Sequence, residues 1–164
     1  MGTDPKLTPD LLADFRAECG ELVDTLIEDL LGLEADPSRQ ELIRRIFRAL
    51  HTVKGNAGFM GVAPMGELSH RAEDAVALLR SGERQVDQEL IDSLLLVADS
   101  LRNQLEAMTG DGAETIDISG VLARLDTAAR RPGAAEGAAG AAELPGDPAA
   151  RAAAAADPSA DLAP

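Results

Sequence analysis

The sequence has no tryptophan and no tyrosine, and only three phenylalanines in 164 residues. Strands of sandwiches and barrels draw heavily on aromatic and β-branched side chains, so this shortage turns the reading toward helices. With 45% apolar residues, a core is affordable, but Leu, Ala, Ile and Val have to build it. A single cysteine, Cys19, excludes an internal disulfide. It falls in an apolar helical stripe and reads as a packing thiol. No apolar run reaches membrane-spanning length and no signal-peptide pattern opens the chain, so a cytoplasmic protein is expected. Positive charge is scarce as well. Fifteen Lys and Arg face 29 Asp and Glu, a net charge of −14 that argues against nucleic acid or an anionic membrane as a partner.

What the chain does have is helical periodicity. From Thr8 to about Glu34, apolar residues fall at Leu11, Phe15, Cys19, Leu22, Leu26, Leu30 and Leu33, in the steps of three and four that mark one helix face. "TPD" fits Thr8 as N-cap with proline at the first helical position. A second helix starts after Pro37, with Ser38 and Glu41 spaced as a capping box and a stripe of Leu42/Ile43, Ile46, Leu50, Val53, Ala57 and Met60. "GVAP" breaks it. A third runs from about Pro64 to Arg80 and a fourth from Asp87 to about Met108, followed by a "TGDGAE" loop. A shorter fifth spans Ile118 to about Arg130. Nothing alternates with period two. The expected fold is all-α, an antiparallel four-helix bundle with a fifth short helix, in a domain spanning about 8–130.

From Pro132 onward the composition changes. Of the 33 residues to Pro164, 24 are Ala, Pro or Gly, and only Leu144 and Leu162 are large and apolar. Too little apolar surface is left for a core, so residues 131–164 are expected to be a disordered linker or tail.

The second helix carries the first of only two histidines, in "ALHTVKGNAGFMG". At about 100° per residue, His51 projects roughly 130° from the centre of the buried stripe, so it points outward. Lys54 is its neighbour at i+3. Gly55 and Gly58 lie on its own ridge at i+4 and i+7. Glycine costs about 1 kcal/mol against alanine inside a helix, so two on one ridge need a reason. They leave the imidazole uncrowded and let another molecule approach the backbone. An ammonium at i+3 suits an anion carried on the ring, a phosphoryl group foremost. On the third helix, His70 and Glu73 sit at i and i+3 on the non-core side. A carboxylate accepting from Nδ1–H would leave the Nε2 lone pair outward, and Glu73 is the candidate.

"FRAECGELVDTLIEDLLGLEAD", "IFRALHTVKGNAGFMG" and "LSHRAEDAVALLR" together resemble the histidine phosphotransfer (HPt) domain of the chemotaxis histidine kinase CheA family, over about residues 8–130. The resemblance implies His51 as phosphoacceptor, Glu73 as the residue that orients and activates it, and Lys54 as support for the phosphoryl group. It also implies His70 as part of the surrounding hydrogen-bond network and Gly55 as room for the partner. In the family, a separate ATP-binding kinase domain, on the same or another chain, phosphorylates the histidine, and an aspartate of a response-regulator receiver domain takes the group. ATP and Mg²⁺ would then belong to those partners, with no cofactor or metal held by this chain. The sequence departs from the family pattern at Asn56, where a small residue is general, and at Phe59–Met60, where Thr-Phe is common. Asn56 projects away from the His51 ridge, whereas the 59–60 change leaves room for altered partner specificity. No G-x-x-x-x-G-K-[ST] loop is present and the length leaves no space for a second α/β domain. The expectation is a monomeric phosphoryl carrier, the phosphoacceptor fragment of a kinase with no catalytic domain of its own. Two rivals remain open: a helical docking module without phosphotransfer, and a metal-binding bundle using His51, His70 and Glu73.

Overall fold

The computed structural model describes residues 8–108 and 117–131. The expected "TGDGAE" loop and the linker from Pro132 onward lie outside them. Five helices follow in order: α1 Pro9–Ala35, α2 Gln40–Met60, α3 Ala63–Ser81, α4 Gln88–Ala107 and α5 Ser119–Arg130. Each of the first four packs on the next, α4 returns to pack on α1, and α5 lies against α3 and α4. This closed ring is the expected four-helix bundle, and no described residue is in a strand.

The predicted stripes supply the core. Phe15, Cys19, Leu26, Leu30 and Leu33 of α1 are buried, as are Ile46, Leu50, Val53 and Ala57 of α2. Leu11 and Leu22 reach only the core's edge, while Val23, outside the expected stripe, is fully inside. Burial raises the Cys19 thiol above its ordinary pKa, in keeping with a packing role. Asn56 Nδ2 reaches toward its sulfur at 3.8 Å, so Asn56 faces α1 and not the His51 ridge.

Helix ends follow local chemistry with one correction. Thr8 Oγ1 accepts from the Leu11 N–H at 3.2 Å, the expected cap. The Ser38–Glu41 capping box does not form. Asp36 Oδ1 captures both the Ser38 N–H at 3.1 Å and the Ser38 hydroxyl at 2.6 Å, so Ser38 is spent on the turn. Helix α2 therefore begins at Gln40, with Arg39 at its N-cap position and no side-chain cap, and Glu41 pairs with Arg39.

Arg84 is buried beside the start of α4. Its guanidinium donates to the carbonyls of Gln85 and Ala128 and pairs at 2.7 Å with Asp87, whose other oxygen caps α4 by accepting from the Leu90 N–H. One buried cation thus fastens the end of α5 to the start of α4. Its burial is tolerable because acceptors surround it.

The α2–α3 connection positions the site. Gly61 takes a left-handed conformation (φ 71°) that favours glycine, and the Val62 N–H bonds back to the Ala57 carbonyl at 2.9 Å. The chain then reverses into α3 after two residues. His51 lies nine residues before the end of α2 and Glu73 ten after the start of α3. At 1.5 Å rise per residue both sit about 14–15 Å from the turn, which brings them level across the hairpin.

Candidate functional site

Leu50 faces the core and His51, one residue on, faces out, with its side chain 64% exposed. Across the α2–α3 seam, Glu73 is buried and its Oε1 lies 2.9 Å from His51 Nδ1. Lys54 Nζ stands 2.5 Å from the other oxygen, Oε2. One carboxylate therefore holds two cation-forming side chains of the neighbouring helix.

Protonation follows from these contacts. Burial pushes the Glu73 carboxyl up, but the contacts with Lys54 and His51 and their charges outweigh it, so the group sits below its ordinary value. At neutral pH it is ionised and only accepts hydrogen bonds. His51 Nδ1 must then carry the proton, and the neutral ring keeps its lone pair on Nε2. The nitrogen that keeps its lone pair is the one that Glu73 does not hold.

Two residues that the sequence reading passed over complete the arrangement. The Phe47 ring stacks with the imidazole at an interplanar angle of 16° and a centroid distance of 6.3 Å, and Arg80 of α3 places its guanidinium 4.1 Å from the Phe47 centroid. Phe47 is at i−4 from His51, and that spacing was the available signal. Arg80 gave none, since its partner sits on another helix. A cation over an exposed or half-buried ring contributes about 0.5–1 kcal/mol, enough to favour one placement of Phe47.

Of the expected site residues, the fold brings together His51, Glu73 and Lys54. It does not bring in His70, whose Nε2 turns to Asp74 on the next turn of α3 at 3.7 Å and whose side chain is exposed. The three ligands that a metal-binding bundle would need do not converge. Among the described residues no group of three or more His, Cys, Asp or Glu is placed to hold a metal ion. Gly55 and Gly58 are exposed, and a Cβ built on either would meet nothing within 4 Å. Gly32 differs, because a Cβ there would come within 3.0 Å of Leu42 Cδ1. Packing accounts for Gly32 and not for the two glycines beside His51.

Charge is unevenly placed. Helix α2 holds Arg44, Arg45, Arg48 and Lys54 against the single acid Glu41, a net +3 in a chain of −14. Arg45 is partly neutralised by buried Asp29 at 2.9 Å, while Arg44 and Arg48 stand exposed on the histidine's side. No described helix is long and apolar enough to cross a membrane.

An outward imidazole on a helix bundle, with one nitrogen fixed by a buried carboxylate and a clear approach to the other, defines a phosphotransfer domain. Residues 10–110 match the Hpt domain family, and the chain belongs to it. Its relatives place it with the CheA type. It is 34% identical over 132 residues to the chemotaxis protein CheA of Treponema pallidum, covering 78% of this chain and 16% of that protein. The chain thus spans about one sixth of the length of that curated relative. Among solved structures it is similar to the phosphorylated P1 domain of CheA3 in complex with CheY6 from R. sphaeroides (TM-score 0.67, 26% identity, covering 74% of this chain and 97% of that one). It is also similar to the CheA phosphotransferase domain from Thermotoga maritima (TM-score 0.60, 34% identity, 62% and 96% covered).

Proposed function

We propose that His51 accepts a phosphoryl group on Nε2 from the ATP-binding domain of a CheA-type kinase and passes it to an aspartate of a receiver domain. The observation that carries this reading is the 2.9 Å contact between His51 Nδ1 and Glu73 Oε1 on a side chain that is largely exposed.

The chemistry balances without proton transfer. On phosphorylation the Nε2 lone pair forms the N–P bond, the bond from the γ-phosphorus to its bridging oxygen breaks, and that electron pair leaves with ADP. The ring, still protonated at Nδ1, becomes imidazolium. Glu73 is already in place to stabilise the charge that develops there, so no dipole has to reorganise during the step. On transfer out, an aspartate oxygen of the receiver bonds to phosphorus and the N–P pair returns to Nε2. The ring ends neutral, with the tautomer it began with.

Lys54 acts first through Glu73, which it holds by an ion pair, and its side chain is one-third exposed. A swing of the ammonium toward a phosphoryl oxygen keeps it within reach of both anions. Phe47 limits ring rotation, and the exposed Arg44 and Arg48 favour approach of an anionic group. ATP and Mg²⁺ work in the active sites of the partner domains, and work in the cytoplasm follows from such partners.

The test is a chase. The protein is labelled with a CheA-type kinase domain and ATP, freed of nucleotide, and mixed with CheY-type receiver domains from the source cell. Acid-labile label should appear on this chain and then move to an aspartate of at least one receiver. Absence of label on a chain that still binds a receiver would leave a docking module in its place, and stable label that no receiver removes would contradict the transfer step.

A further inference from the structure

Phe59 is left unexplained by the site. It is one of three aromatic residues in the chain; Phe15 is in the core and Phe47 stacks with His51. Phe59 is 80% exposed, the most exposed large hydrophobic side chain among the described residues, and it has no ring or cation contact there. It belongs neither to the core nor to the partly buried residues packed against it.

Its position is informative. Phe59 lies eight residues after His51 on the same helix, about 12 Å along the axis and about 80° around it. Gly55 and Gly58 lie between them, and neither has a neighbour within 4 Å of where a Cβ would stand. The surface from the imidazole to Phe59 is therefore a low lane on α2 ending in an aromatic ring. Exposed Arg44 and Arg48 lie at its other end.

We infer that Phe59 is the apolar anchor by which the receiver domain docks on α2, and that it sets affinity for that partner without entering the chemistry. The inference rests on the carrier reading above. A receiver must bring its carboxylate to the phosphorus on Nε2, so the surface around that carboxylate presses on α2 near His51. Even a small signalling interface of about 600 Å² per partner has a radius of about 14 Å, which takes in Phe59. Aromatic residues are enriched at such contacts and charged ones depleted at their centre. The charge of α2 complements an acidic partner surface, and the two glycines allow close approach of backbone to partner.

The experiment loads the full chain at His51 with potassium phosphoramidate, which needs no kinase domain. The rate of phosphoryl loss is then followed against concentration of the CheY-type receiver that empties the wild type fastest. For Phe59→Ala, the half-saturating receiver concentration should rise about tenfold, as expected for losing much of a buried aromatic contact. The maximal transfer rate should stay within about twofold, and Phe59→Leu should recover part of the affinity. Unchanged half-saturation would overturn the inference. So would a fall confined to labelling by a CheA-type kinase domain and ATP, measured in parallel, which would make that domain the occupant. Concentration-dependent dimerisation abolished by Phe59→Ala would instead assign the ring to a second copy of the chain and overturn it too. If no receiver discharges loaded wild-type protein, the carrier reading itself fails, an outcome distinct from an inert Phe59.

Discussion

Replacing His51 with glutamine should reduce phosphoryl incorporation from a CheA-type kinase domain and ATP by at least about 10³-fold. No other described side chain combines an outward imidazole nitrogen with a hydrogen-bonded partner fixing its tautomer, because His70 has only the exposed Asp74 carboxylate near it, at 3.7 Å and beyond hydrogen-bond distance. The bundle should survive the change. His51 is largely exposed, and the core residues flanking it, Leu50 and Val53, are untouched. Glutamine can still offer an amide hydrogen to Glu73, so the loss of stability should stay within about 1 kcal/mol. Radiolabel incorporation measures the first effect and thermal unfolding the second. Label retained on the variant would place the acceptor elsewhere, His70 being the first position to examine.

The second large effect is expected at Glu73. Alanine there removes the acceptor for Nδ1–H and the counter-charge for the imidazolium that forms on phosphorylation. A hydrogen bond to a charged group contributes about 1.5–3 kcal/mol, and losing it in the transition state slows the step about 10- to 100-fold. Glu73→Gln keeps an acceptor oxygen but loses the charge, so it should fall between alanine and wild type. Folding should tolerate the alanine change, since the released Lys54 ammonium is partly exposed and can turn to water. Initial rates at saturating kinase measure the ordering. Equal rates in all three proteins would remove Glu73 from the mechanism.

The legible and illegible parts of this protein divide along a physical line. Apolar spacing announced the helices, because burial of one face is what makes such segments fold. The same spacing located His51 by exclusion: once Ile46, Leu50, Val53 and Ala57 faced inward, the histidine had to face out. Glu73 was within reach of sequence reasoning because a two-residue reversal at Gly61–Val62 makes hairpin positions equidistant from it level. Competition between neighbours was not legible. Ser38 had the spacing of a capping box, but Asp36, two residues away, offered its hydroxyl and N–H a better acceptor. The sequence set His70 and Glu73 side by side on α3, yet an i+4 acid drew His70 the other way. Lys54 was expected to await a phosphoryl group, and it already holds an anion. Least legible were Arg84 and Arg80. A charged residue gives no apolar pattern, and its burial or stacking depends on carbonyls and rings from other helices.

The central claim is that Glu73 holds Nδ1 of His51 and leaves Nε2 to carry the phosphoryl group. It is tested most directly by long-range ¹H–¹⁵N correlation spectra of the full chain before and after phosphorylation by a CheA-type kinase domain. The account predicts one phosphohistidine, at residue 51, with phosphorus on Nε2 and the Nδ1 proton retained in both states. Phosphorus on Nδ1 of His51, or on His70, would contradict it.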